Sequence, residues 1–190
     1  MKMEKPQLRI FEPRKKAGLI VVITGDGKGK TTSALGIALR AVGYNMKVCI
    51  IHFIKGDMYS GELDGVKKLS PNVEVHLTGK GFCGIMGDPY PFAEHRATAQ
   101  DALRLVREKI SSGGFDIVIL DEINNAIKLG LVDLTQVIEI MENKPPLMHL
   151  ILTGRDAHPE VINRAHTVTE VREVKHAFRQ GIEPQKGIDY

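Results

Sequence analysis

The chain has 190 residues, 43% hydrophobic and 26% charged, and 26 Lys+Arg against 23 Asp+Glu leave a formal net charge of +3. That length suits one domain with a core of its own, and the charge is too slight for the concentrated basic face of a nucleic-acid binder. Two cysteines, Cys49 and Cys83, exclude a disulfide framework or a four-cysteine zinc site. No apolar run reaches the roughly 18 residues of a membrane span, and the N-terminus carries no segment of signal-peptide type. A reduced cytoplasm is the expected setting.

Residues 1–17 are polar and basic and read as an arm; residues 18–190 read as one domain. From Gly18 onward, short apolar runs alternate with helical patterns. Leu19–Thr24, Val48–Phe53, Val73–Leu77, Ile117–Leu120 and Leu150–Thr153 are the continuous, β-branched-rich runs of strands covered on both faces. A helix is expected from Ser33 to Ala41. Another spans about Phe92–Ile110, where Ala99, Ala102, Leu103, Val106 and Ile110 recur at helical spacing. A third starts after the N-cap candidate Asp133 and stops before Pro145, and a last short strand covers Thr167–Val174. Alternating β and α with such crossovers implies an α/β fold: a mostly parallel sheet with helices on both faces. Ligands of such sheets bind beyond the carboxyl ends of the strands, so motifs at those ends carry the most weight.

The first of these motifs is Thr24-Gly25-Asp26-Gly27-Lys28-Gly29-Lys30-Thr31-Thr32, between a strand and a helix. Glycines there let several backbone N–H groups turn toward phosphate oxygens, and the helix N-terminus adds partial positive charge. Lys30 suits a bridge between phosphates, and the Thr31 hydroxyl suits Mg²⁺. Thr24 stands where the usual pattern has its first glycine. The second motif is Ile117-Val118-Ile119-Leu120-Asp121-Glu122, a strand ending in two carboxylates able to hold a metal ion. Together they read as a nucleotide site of the P-loop NTPase (RecA-like) type. Basic residues close two other strands, Lys55 after Phe53-Ile54 and Arg155 after Thr153-Gly154; each is either a phosphate contact or a solvated turn. The glycine-rich stretch Gly79–Gly87 is either a lid over a flat apolar ligand or a plain loop. The seven histidines show no pair at metal-ligand spacing, and His52 reads as a satisfied core residue. Neither cysteine is assigned a catalytic role.

In order along the chain, Gly25 to Thr32, Phe53-Ile54-Lys55-Gly56, Val118 to Glu122, Leu152-Thr153-Gly154-Arg155, Val174-Lys175-His176-Ala177-Phe178 and Gly187-Ile188-Asp189-Tyr190 resemble the ATP:corrinoid adenosyltransferases of the BtuR/CobO family, which includes the cob(I)yrinic acid a,c-diamide adenosyltransferases. The resemblance implies transfer of the 5′-deoxyadenosyl group of ATP to a reduced Co(I) corrinoid, with release of triphosphate, in adenosylcobalamin biosynthesis or salvage. It implies Lys30, Lys28 and the loop amides of Gly25, Asp26, Gly27, Gly29 and Thr32 as the phosphate clamp, with Lys55 and Arg155 as further contacts. It also implies Thr31, Asp121 and Glu122 at Mg²⁺ or Mn²⁺. Phe82 falls on the loop whose apolar residues displace the lower axial ligand of cobalt. Many members of the family pair that Phe with a Trp; this chain has no Trp, so either Ile85, Met86 or Tyr90 takes its place or the loop binds a different corrinoid. A homodimer, a reduced flavoprotein as electron donor and a cytoplasmic location are implied too, with neither nucleic acid nor membrane as partner. The competing reading is a generic P-loop ATPase or small-molecule kinase, which would release ADP instead.

Overall fold

The structure is a computed structural model that describes residues 16–56, 59–81, 83–85 and 87–190. Apart from Lys16 and Ala17, the expected basic arm lies outside the described residues, as does Phe82. In chain order the elements are β1 (Ile20–Thr24), α1 (Lys30–Val42), β2 (Val48–His52), α2 (Gly61–Lys67), β3 (Val73–Leu77), α3 (Phe92–Ser111), β4 (Ile117–Asp121), α4 (Ile123–Lys128), α5 (Leu134–Asn143), β5 (His149–Thr153), α6 (Pro159–Arg164) and β6 (Thr167–Glu170). A 3₁₀ turn at Ala177–Gln180 follows.

The six strands form one sheet in the order β3-β2-β4-β5-β1-β6, and every neighbouring pair is parallel. Alternate residues of each strand face opposite sides, and the two sides are buried under different helices. Val22, Cys49, Ile51, Val118, Leu120, Leu150 and Leu152 join Ala99, Leu103 and Val106 of α3, Ala126 of α4, Val137 of α5 and Val161 of α6 in one cluster. Ile23, Val48, Ile50, Ile117, Ile119 and Ile151 meet Ala34, Ala38 and Ala41 of α1 and Val66 of α2 in the other. The small alanines of α1 let that helix sit close to the sheet, directly behind the loop that precedes it.

The structure corrects two expectations and adds three helices. Strand β6 ends at Glu170, not Val174, because the chain there turns to follow the glycine-rich loop. Val171 N–H donates to Thr24 O at 2.8 Å, and Val171 O accepts from Gly27 N–H at 2.7 Å. Helix α1 begins at Lys30, three residues before Ser33. The short helices α2, α4 and α6 had no expectation at all. Helix α5 starts after Asp133 as expected, and the Gln136 side chain accepts from Asp133 N–H at 3.1 Å.

Candidate functional site

Sheet register gathers the site's acidic side. His52 of β2 stands opposite Asp121 of β4, and Leu120 stands opposite Leu152 of β5, which puts Thr153 beside Asp121. These three are two positions on from Ile50, Ile119 and Ile151, so by strand alternation they face the side covered by α1. Thr31, in the first turn of α1, completes the group from above. Asp121 Oδ2 meets His52 Nδ1 at 2.8 Å, and its Oδ1 accepts from Thr153 Oγ1 at 2.6 Å and Thr31 Oγ1 at 3.0 Å. Burial pushes the Asp121 carboxyl upward, yet these hydrogen bonds and the His52 ring outweigh it and hold the group below the usual carboxylate range. His52 is buried, as its strand position suggested, and its partner is the acid of the site.

Glu122, the next residue, has φ 66° and ψ 18°, a left-handed backbone uncommon for a side chain with a Cβ. Its N–H donates to Thr153 Oγ1 at 2.9 Å, which fixes the turn. The conformation swings Glu122 out of the strand's alternation and onto the cavity wall. Burial raises its carboxyl pKa, and neighbouring Asp121 raises it further against the pull of Lys30, Lys55 and Arg155. Two adjacent carboxyl groups are thus displaced in opposite directions by their surroundings, a pattern frequent at functional sites.

The basic side is the loop between β1 and α1. Gly25 and Gly29 hold φ of 95° and 109°. Gly27 lies so close to the chain after β6 that a Cβ there would fall 2.8 Å from Val171 O and from Arg172 C. Lys30 Nζ donates to Gly27 O at 2.6 Å; burial lowers its pKa, as does the charge of Arg155. Thr24, the residue in place of the usual glycine, is buried, and its Oγ1 accepts from Ala157 N–H at 3.1 Å, tying the loop's base to the segment after β5.

A cavity of about 930 Å³ opens between these two sides, within the range that takes a nucleotide-sized ligand. Asp26, Gly27, Lys28, Gly29, Lys30, Thr31, Thr32, Lys55, Asp121, Glu122 and Arg155 all line it. Gly25 lies behind it against Val171, and Phe82 is outside the described residues. Lys55 is paired with Glu62 of α2, and Arg155 is held through its backbone N–H on Asn125 Oδ1 at 2.8 Å. The hydroxyl of Thr31 and the carboxylates of Asp121 and Glu122 form an all-oxygen set, which fits Mg²⁺ or Mn²⁺ better than a softer ion. Two contributions escaped residue-level reading. The closing Gly187, Ile188, Asp189 and Tyr190 also line the cavity, with Asp189 paired to Lys28 at 2.5 Å; only the resemblance had marked that segment. Asn125 of α4, next to Gly154, carried no signal.

Residues 16–190 match the family described as ATP:corrinoid adenosyltransferase BtuR/CobO/CobP. A corrinoid adenosyltransferase of Pseudomonas aeruginosa is 36% identical over 182 residues, 96% of this chain and 88% of that protein. One of Escherichia coli K12 is 35% identical over 188 residues, 98% of this chain and 93% of its own. A solved KaiC-like protein of Pyrococcus horikoshii resembles the chain with a TM-score of 0.47 and 14% identity, over 82% of this chain and 73% of that one. No helix of the described residues is long and apolar enough to cross a membrane. With most of its length matched in this way, the chain belongs to the ATP:corrinoid adenosyltransferase family.

Proposed function

We propose that the protein binds ATP in the cavity between β1 and β4 and transfers its 5′-deoxyadenosyl group to a Co(I) corrinoid. The observation that carries this reading is the meeting of the glycine loop, the Thr31–Asp121 pair and Glu122 around one cavity in a member of this family. The cobalt electron pair attacks C5′, the Co–C bond forms as the C5′–O bond breaks, and that bond's electrons leave on the triphosphate. Cobalt ends as Co(III). The protein supplies no nucleophile; it positions C5′ and meets the charge of the departing group.

In this reading the N–H groups of residues 28–32 bind phosphate oxygens, with Lys28, Lys30, Lys55 and Arg155 as countercharges; the Gly27 amide, expected in the clamp, is instead given to Val171 O at 2.7 Å. Mg²⁺ or Mn²⁺, when bound, neutralises charge developing on the triphosphate. Thr31 and Glu122 would hold the ion. Asp121, with both oxygens engaged by His52, Thr153 and Thr31, keeps the Thr31 hydroxyl in place. A homodimer, a reduced flavoprotein as the source of Co(I) and a cytoplasmic setting complete the proposal. The test is anaerobic: MgATP and chemically reduced Co(I) corrinoid are mixed with the protein, and the visible spectrum and released phosphates are followed. A light-sensitive Co–C product with equimolar triphosphate supports the reading. ADP with no spectral change overturns it in favour of an ordinary phosphohydrolase or kinase.

A further inference from the structure

Away from the cavity, the segment between β3 and α3 brings Cys83, Asp88 and His95 together. We propose that these three residues form a binding site for a divalent cation of zinc type, which ties Cys83 and Asp88 to the first turn of α3. One donor atom from each lies within 4.8 Å of the other two. Bonds of about 2.0–2.3 Å in a tetrahedral zinc site separate its ligands by roughly 3.3–3.8 Å, so small side-chain rotations suffice. None of the three residues lines the nucleotide cavity.

The chemistry of the donors selects the ion. A thiol, an imidazole and a carboxylate make a mixed sulfur–nitrogen–oxygen set that suits Zn²⁺ and disfavours Mg²⁺ or Ca²⁺, which take oxygen. His95 is 2% exposed, so its ring is already desolvated and aimed by the packing of α3. Asp88 is oriented from three directions: Gly84 N–H donates to Oδ2 at 2.9 Å, Tyr90 N–H to Oδ1 at 3.1 Å, and His95 Nε2 lies 3.0 Å from Oδ1. Cys83 packs on the same core cluster as α3. Binding releases the Cys83 thiol proton to solvent and leaves the fourth position to water or an anion.

The segment also has reason to need a staple. Gly79, Gly81, Gly84 and Gly87 all hold positive φ, and a glycine-rich chain loses the most backbone freedom on being fixed. Without an ion, Asp88 and the two amides would close the loop by themselves, and the thiol would be a bystander. The experiment separates these cases without ATP or corrinoid, so its outcome is independent of the adenosyl-transfer reading. Untagged full-length protein is stripped with chelator and titrated with Zn²⁺, and in parallel with free Co²⁺ ions as a spectroscopic probe. One equivalent bound, with a thiolate-to-cobalt charge-transfer band, is the expected result. Cys83→Ser should abolish the band and weaken Zn²⁺ binding at least about 10-fold; Asp88→Asn should weaken it similarly, and Cys49→Ala should leave the band. Wild-type affinity in Cys83→Ser, or no binding by the wild type, overturns the proposal.

Discussion

Thr153→Val puts the arrangement of the two carboxylates to a quantitative test. The substitution preserves shape but removes the hydroxyl of a residue that is 1% exposed. That hydroxyl donates to Asp121 Oδ1 at 2.6 Å and accepts from Glu122 N–H at 2.9 Å. A hydrogen bond to a charged group contributes about 1.5–3 kcal/mol, and a buried N–H left without a partner costs about 1–3 kcal/mol. The combined loss should be about 3–5 kcal/mol, or a fall of about 6–20 °C in Tm for a chain of this size. Thr153→Ser keeps both bonds and gives up one methyl, so it should recover all but about 1 kcal/mol. Urea unfolding and thermal melts measure stability, and adenosyl transfer measured alongside should follow the same order, with Val far below Ser. A Val variant that melts within 2 °C of wild type, by the same conversion of stability into Tm, or a Ser variant no better than Val, would refute the reasoning.

Glu122→Gln should lower the rate of transfer about 100-fold or more while leaving Tm unchanged or raised, because burial and Asp121 already disfavour its charge; activity and melting assays on one preparation check both halves. Gly154→Ala should cost at least about 2 kcal/mol, since its φ is 125° and the new Cβ would meet Asn125 Oδ1 at 2.5 Å, and denaturant unfolding reads it directly. His149 gives a pH dependence. Burial, and then Lys144, pull its imidazole pKa down, and its Nδ1 accepts from Leu19 N–H at 3.1 Å. With the folded pKa below that of the unfolded chain, the unfolded state binds the proton first, so stability falls as pH drops below about 6.5. Melts of wild type and His149→Gln between pH 5 and 8, the span of histidine titration, should show a shallower acid slope in the variant.

Four of the five apolar runs between Leu19 and Thr153 were legible because they are buried on both faces and rich in β-branched or leucine side chains; the fifth, Val73–Leu77, is the edge strand and only half-buried, against the expectation of cover on both faces, and Val73, Val75 and Leu77 alternating with Glu74 and His76 made it legible. The loop from Gly25 to Thr32 was legible because phosphate binding demands glycine, lysine and hydroxyl at fixed spacing. Helices α2, α4 and α6 have only six or seven residues, too few for a period to register, and packing decides them. The Asp121 cluster joins residues 69, 32 and 90 positions apart; sheet register creates it, and no local pattern announces register. His52 looked like core and is core, yet its partner makes it part of the site. The return of Gly187–Tyr190 to the glycine loop joins Asp189 to Lys28 in a long-range ion pair that spacing could not foretell.

In the proposed reaction C5′ of ATP, and not the γ-phosphorus, is the reacting atom. ATP carrying ¹⁸O in the bridge between C5′ and the α-phosphorus tests it most directly, with Co(I) corrinoid as acceptor and mass analysis of every phosphate product. The expected result is that the label leaves in intact triphosphate, because the C5′–O bond breaks. Label retained in ADP, with unlabelled phosphate released or transferred, would contradict it.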